Sequence, residues 1–166
     1  MLRTCTIADI RQEYIDALND PAVVGLTEAR HTTWNMERAR AYVEKSNVPG
    51  ESELIGIFLL NGKHIGNIRL SNFSEFHRRV ELGMMIFDKT EWNKGYTTEA
   101  LRAIDHYAFD ILKLHRIQAD YYAINKASAA VFKKAGYNIE GIFRDHFRSG
   151  DGYIDSVRVA KINQNV

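Results

Sequence analysis

Six consecutive residues, Asn93, Lys94, Gly95, Tyr96, Thr97 and Thr98, carry the first chemical signal in this chain. They follow a dense apolar run, residues 80–87, rich in β-formers and methionine. After them, Ala100, Leu101, Ile104, Tyr107, Ala108, Ile111 and Leu112 recur at helical spacing. The pattern predicts a strand, a short polar loop and a long amphipathic helix, with Arg102, Asp105, His106, Asp110 and Lys113 mostly on the outer face. A helix start presents N–H groups with no intrahelical acceptor at the positive end of the macrodipole, which seats a phosphate or pyrophosphate. Gly95 lets the backbone approach such an anion closely, and Lys94 adds a charge beside it. A plain βα turn, whose glycine only fixes geometry, has the same pattern. No GxxxxGK[ST] run and no GxGxxG run occurs, which excludes a Walker A loop and a dinucleotide fingerprint.

The rest of the chain must position that loop. Its 166 residues, 45% hydrophobic and 26% charged, fit one globular domain, residues 1–166, able to bury a real core. A net charge of +1 argues against a nucleic-acid partner, which would demand a basic excess. The lone Cys5 makes no internal disulfide and fits a reducing cytoplasm. There is no leader pattern and no apolar run near ~18 residues, so neither secretion nor a membrane partner is expected.

In order, residues 2–8 read as a strand, and Asp9 with Gln12 as the capping box of a helix to Leu18, stopped by Asn19-Asp20-Pro21. Residues 23–34 are a mixed segment, and Asn35 caps a second helix to about Lys45. Residues 54–60, 63–70 and 78–87 form a three-stranded meander, its first turn a type I′ pair at Asn61-Gly62. Residues 115–122 follow a crossover helix and therefore run parallel to 78–87. Asn125 caps a helix over 126–135 that stops at Gly136, and residues 137–148 and 153–162 close an antiparallel hairpin.

Trp92-Asn93-Lys94-Gly95-Tyr96-Thr97-Thr98-Glu99-Ala100 resembles the acetyl-CoA pyrophosphate loop, Q/R-x-x-G-x-G/A, of the GNAT acetyltransferases. Trp92 stands in the Q/R place, Gly95 matches, and Thr97 replaces the small residue. Asn125-Lys126-Ala127-Ser128 and Lys134-Ala135-Gly136-Tyr137 resemble the family's N-x-x-S and K-x-G-F, and the glycine-rich ending resembles its closing hairpin. The likeness is greatest to the branch of ribosomal-protein N-terminal and spermidine acetyltransferases. It implies an α/β (α+β) GNAT fold: a mixed, mostly antiparallel sheet with a splayed central parallel strand pair and flanking helices. Acetyl-CoA is the implied co-substrate, with no metal, and a homodimer is one assembly open to it.

The resemblance also assigns roles. The backbone of Met85, Ile86 and Phe87 pairs with pantetheine, the amides of residues 93–98 hold pyrophosphate, and Asn125, Ser128 and Phe132 complete the cofactor side. Glu28, His31 and Trp34 lie in the wall that chooses the acceptor, with core packing for Trp34 and solvent for His31 as the plainer readings. Acetyl transfer to an amine needs a base, and Glu81 on the cofactor strand is the candidate; a surface carboxylate paired with Arg78 or Arg79 is the alternative. Many family members carry a tyrosine acid where this chain has Phe132, which leaves Ser128, Tyr137 or water to protonate the thiolate. The implied acceptor is a protein N-terminal α-amine, with a polyamine or a nucleotide-linked amino sugar as alternatives, and a non-catalytic acyl-CoA-binding module as the reading from another class.

Overall fold

The computed structural model describes residues 1–164. Its strands are β1 (Leu2–Thr4), β2 (Ser52–Phe58), β3 (His64–Ser74), β4 (Arg79–Ile86), β5 (Arg116–Tyr122), β6 (Asn138–Ser149) and β7 (Gly152–Ile162). The helices are α1 (Gln12–Leu18), α2 (Pro21–Val24), α3 (Met36–Lys45), α4 (Tyr96–His106) and α5 (Lys126–Lys134). Among the described residues the strands hydrogen-bond in the order β1-β2-β3-β4-β5-β7-β6. The β4–β5 pair is parallel and the β1–β2, β2–β3, β5–β7 and β6–β7 pairs are antiparallel, the mixed sheet that the sequence implies.

The chain divides into two compact units, the first from Met1–Phe73 with Gly83–Tyr96, the second from Ser74–Leu82 with the chain from Thr97 onward. In the first, Cys5, Ile10, Tyr14, Ile15, Leu18, Val43, Leu54 and Phe87 form the buried cluster. Tyr14, Ile15 and Leu18 reach it because a helix brings positions three and four apart onto one stripe. Asn35 caps α3 as expected, its side chain accepting the Arg38 N–H at 2.8 Å. Asp9 does not cap α1. Strand β1 is short, and Asp9 instead closes a 3₁₀ turn, accepting the Thr6 N–H at 2.8 Å and both Arg3 guanidinium nitrogens. The β2–β3 turn also departs from type I′: Leu59 C=O accepts the Gly62 N–H, and only Gly62 takes positive φ, 83°. That is the three-residue loop of a type I turn followed by a left-handed glycine.

In the second unit, β7 lies between β5 and β6, with Ala119 opposite Val159 and Tyr121 opposite Val157. Their buried side chains meet α5 through Phe132, which stacks on Tyr121 at 5.8 Å and meets Tyr137 edge-on at 5.2 Å. Residues i, i+2 and i+4 of a strand share a face. Arg116, Gln118 and Asp120 of β5 therefore share the face opposite Ile117 and Ala119. Helix α4 turns at its end into a π-helical stretch, Tyr107–Ile111. Asp105, expected outside, is buried: Tyr137 Oη donates to it at 2.8 Å and Lys161 Nζ at 2.7 Å. Ile111, expected inside, is exposed, because the π turn shifts the register of every later residue.

Candidate active site

The loop before α4 is built by short-range hydrogen bonds. Asp88 accepts the Thr90 N–H at 2.9 Å and shapes the 3₁₀ turn Lys89–Glu91. Trp92 then folds back, its indole N–H donating to Ile86 C=O at 2.8 Å. Asn93 and Gly95 take φ of 61° and 87°, and α4 begins at Tyr96. A Cβ at Gly95 would meet nothing within 4 Å, so the glycine supplies conformation and leaves open space beside the helix start. Tyr96, Thr97 and Thr98 are the first turn of α4, whose amides have no acceptor within the helix. Amides so placed can donate to a bound anion. Lys94 Nζ lies 3.0 Å from Glu91 Oε2, so its charge is already offset by a buried carboxylate. Two groups expected to face pantetheine have partners inside the chain: Ile86 C=O takes the Trp92 indole, and Phe87 N–H donates to Ile65 C=O at 3.0 Å.

Glu81 lies on β4 where the described parallel ladder ends, opposite Gln118. Arg158 of β7 is one cation beside it. Gln118 Nε2 donates to Glu81 Oε1 at 3.0 Å, and Arg158 Nη1 of β7 stands 4.0 Å from the same oxygen. Asp120 holds Arg158 with two 2.5 Å contacts, to Nε and Nη2. Arg116 Nε donates to Gln118 Oε1 at 3.0 Å and its other nitrogens grip Glu140 of β6. That grip holds the Glu140 carboxyl below the usual range and raises Arg116 above its own. The sequence reading assigned none of Arg116, Gln118, Asp120, Glu140 and Arg158 to the site. Alternation along β5 puts three of them on one face, but the register with β4 and β7 is not written in the sequence.

On α5, Asn125 Oδ1 accepts the Ser128 N–H at 3.0 Å, so Asn125 is a cap and Ser128 a half-buried first-turn residue. Phe132 is buried among rings. Tyr137 is buried, and burial followed by the Asp105 carboxylate drives its hydroxyl far above the usual range, which makes it a poor proton donor to any thiolate. In the first unit, Glu28 and His31 are exposed and 3.9 Å apart. Trp34 donates its indole N–H to Ala29 C=O at 3.1 Å and packs edge-on against Tyr42.

The first unit also holds a cavity of about 600 Å³, lined by Tyr14, Phe58, His64 and Phe87 beneath a charged rim. Of the rim cations, Lys63 pairs with Asp88 and Lys89 with Asp20, each at 2.5 Å. Apart from Phe87, no residue that the sequence reading assigned to the site lines it.

The sequence profile of the acetyltransferase (GNAT) domain matches residues 1–138. This chain belongs to the GNAT acetyltransferase family. It is 31% identical over 128 residues to the uncharacterized N-acetyltransferase YnaD of Bacillus subtilis, covering 77% of this chain and 74% of that one. The putative ribosomal N-acetyltransferase YdaF of B. subtilis is 36% identical over 87 residues, 52% of this chain and 47% of that protein. Relatives YoaA and YjcK are matched over 52% and 42% of their length, so the chain spans about half of these curated relatives. Among solved structures, spermidine N-acetyltransferase from Vibrio cholerae in complex with CoA and spermine superimposes with a TM-score of 0.86 at 18% identity, covering 98% of this chain and 94% of that one. A GNAT acetyltransferase from Bacillus anthracis gives 0.81 at 25% identity, covering 97% and 93%. Family membership places the two regions described above, the glycine loop and the Glu81 strand, within the matched domain.

Proposed function

We propose that this chain transfers the acetyl group of acetyl-CoA to a primary amine, and that the acceptor is a protein N-terminal α-amine. The observation that carries the reading is the open, left-handed cradle at Gly95, at the start of α4 in a GNAT domain. Bound there, acetyl-CoA supplies an activated thioester. The amides of Asn93, Gly95, Tyr96, Thr97 and Thr98 bind its pyrophosphate, and Asn125 orients the pantetheine arm from the start of α5.

The acceptor arrives largely protonated, since an α-amine titrates near ~8 and a lysine near ~10.4. Glu81 takes that proton, directly or through one water, so that the nitrogen lone pair can attack. Ser128 returns a proton to the departing sulfur. An α-amine suits the charges around Glu81 better than a polyamine does. Asp120 and Glu140 are each gripped by an arginine, and a polycation needs carboxylates that no cation has neutralised.

Thiol release from acetyl-CoA, followed with a free-N-terminus peptide set, spermidine and an amino-sugar nucleotide, tests this. Peptides should exceed the other acceptors in kcat/KM by at least about tenfold, a transition-state difference of ~1.4 kcal/mol. Spermidine at or above the peptides would overturn the acceptor assignment. Tight acetyl-CoA binding with no thiol release from any acceptor would make the chain a binding module.

A further inference from the structure

We infer that Gln118 is a positioning residue that aims the Glu81 carboxylate, and that Glu140 and Arg116 fix its orientation. The inference rests on the reading of Glu81 as base. The side-chain amide of a glutamine has two ends, and which way it faces decides what it does to a neighbouring carboxylate. Here the direction follows from chemistry. Arg116 Nε carries a proton at all accessible pH and can only donate. The end of Gln118 lying 3.0 Å from Arg116 Nε is therefore the carbonyl oxygen, Oε1. The N–H₂ end must then point to Glu81 Oε1, also 3.0 Å away. The reverse placement would set two donors face to face at Arg116 and two acceptors face to face at Glu81.

Each link is held by the next. Gln118 is 7% exposed, so its amide has little freedom to turn. Arg116 is anchored by Glu140 with a second and third contact, a planar fork on a carboxylate. The chain Glu140, Arg116, Gln118, Glu81 joins side chains of β6, β5 and β4, reaching across β7. On the other flank Arg158 stands 4.0 Å from Glu81 while Asp120 grips it through Nε and Nη2. Asp120 thereby restrains the guanidinium from closing fully on Glu81, which would make that carboxylate a weaker proton acceptor. A base held by a neutral donor, beside a cation that is already engaged, keeps a fixed direction.

The test is Gln118→Leu, which removes the donor at similar volume. Without that donor the Glu81 carboxylate is no longer held toward the amine, so the loss should fall on kcat. Activity at neutral pH should fall about tenfold, with KM for acetyl-CoA unchanged. Combined with Glu81→Gln, the substitution should cost no further activity, since the group being aimed is gone. Should Gln118→Leu fold poorly, Glu140→Gln at the exposed end of the relay should lower kcat in the same direction by a smaller amount. An unchanged kcat, or a full extra loss in the double variant, assigns Gln118 to packing and overturns the inference. If Glu81→Gln alone leaves activity intact, the base assignment fails and this inference falls with it.

Discussion

The loop at residues 93–98 and the polar strip around Glu81 solve the same problem, holding a reacting group still, with different parts of the chain. The loop works through its main chain. Its instructions are six adjacent residues, two of them in left-handed conformations, and the helix that follows. The strip works through side chains from β4, β5, β6 and β7, joined across sequence separations of 37, 24 and 38 residues. A main-chain site is insensitive to most side-chain changes but not to a change in φ. A side-chain relay is the reverse: each member can be changed singly, and each change is felt by the next.

The sharpest break in that comparison is expected at Gly95. Proline there fixes φ near ~−65° where the loop needs 87°, and removes an N–H from the cradle. Acetyl-CoA affinity measured by calorimetry should fall by more than ~10²-fold, a conformational loss with no side-chain counterpart. Gly95→Ala sharpens the point, because the space beside it is empty and only the left-handed conformation is penalised. A cost of ~1–2 kcal/mol follows, about a tenfold loss. Unchanged affinity in both variants would remove the loop from the cofactor site.

Next comes Ser128, whose backbone is capped by Asn125 whatever its side chain does. If the hydroxyl supplies a proton, Ser128→Ala should lower kcat by ~10² while acetyl-CoA binding stays within a few fold. Weaker binding with kcat intact would confine Ser128 to the helix start.

The smallest effect is expected at Asp9, a main-chain and side-chain device combined. Hydrogen bonds from Arg3, then from Thr6, hold its carboxyl well below the usual carboxylate range. A depressed carboxylate stabilises the fold above its unfolded value, near ~4, and loses that contribution as pH falls through the folded value. Asp9→Asn should therefore lower Tm by about 1–3 °C at pH 7, with the gap closing below pH ~4. A gap that stayed constant to pH ~2 would mean that charge has no part in the effect.

The contrast between loop and strip also explains what the sequence disclosed. The order of elements along the chain, the parallel pair, the caps at Asn35 and Asn125 and the stop at Gly136 follow from local patterns, and the structure has them. Asp105 was misplaced because its partners, Tyr137 and Lys161, are 32 and 56 residues away, and a buried charge with such partners looks like a surface charge in sequence. Ile111 was misplaced because a π turn breaks the period on which the helical stripe depends. Asp9 has the spacing of a helix cap, but the Arg3 fork and the Thr6 amide pull it into a turn before the helix. Glu81 could be picked out by its strand, whereas Gln118 and Arg158 become visible only once β4, β5 and β7 are in register.

The central claim is that Glu81 takes the amine's proton, and one substitution tests it most directly. Glu81→Gln keeps the shape of the side chain and its ability to accept from Gln118, but removes its use as a base. With the acceptor that the wild type prefers, kcat at neutral pH should fall by ~10²–10⁴ while acetyl-CoA affinity and Tm hold. The deficit should shrink as pH rises, because more of the amine is then neutral without help. A fall of less than about threefold, far below the general-base range, would contradict the assignment and leave the proton to bulk water or another residue.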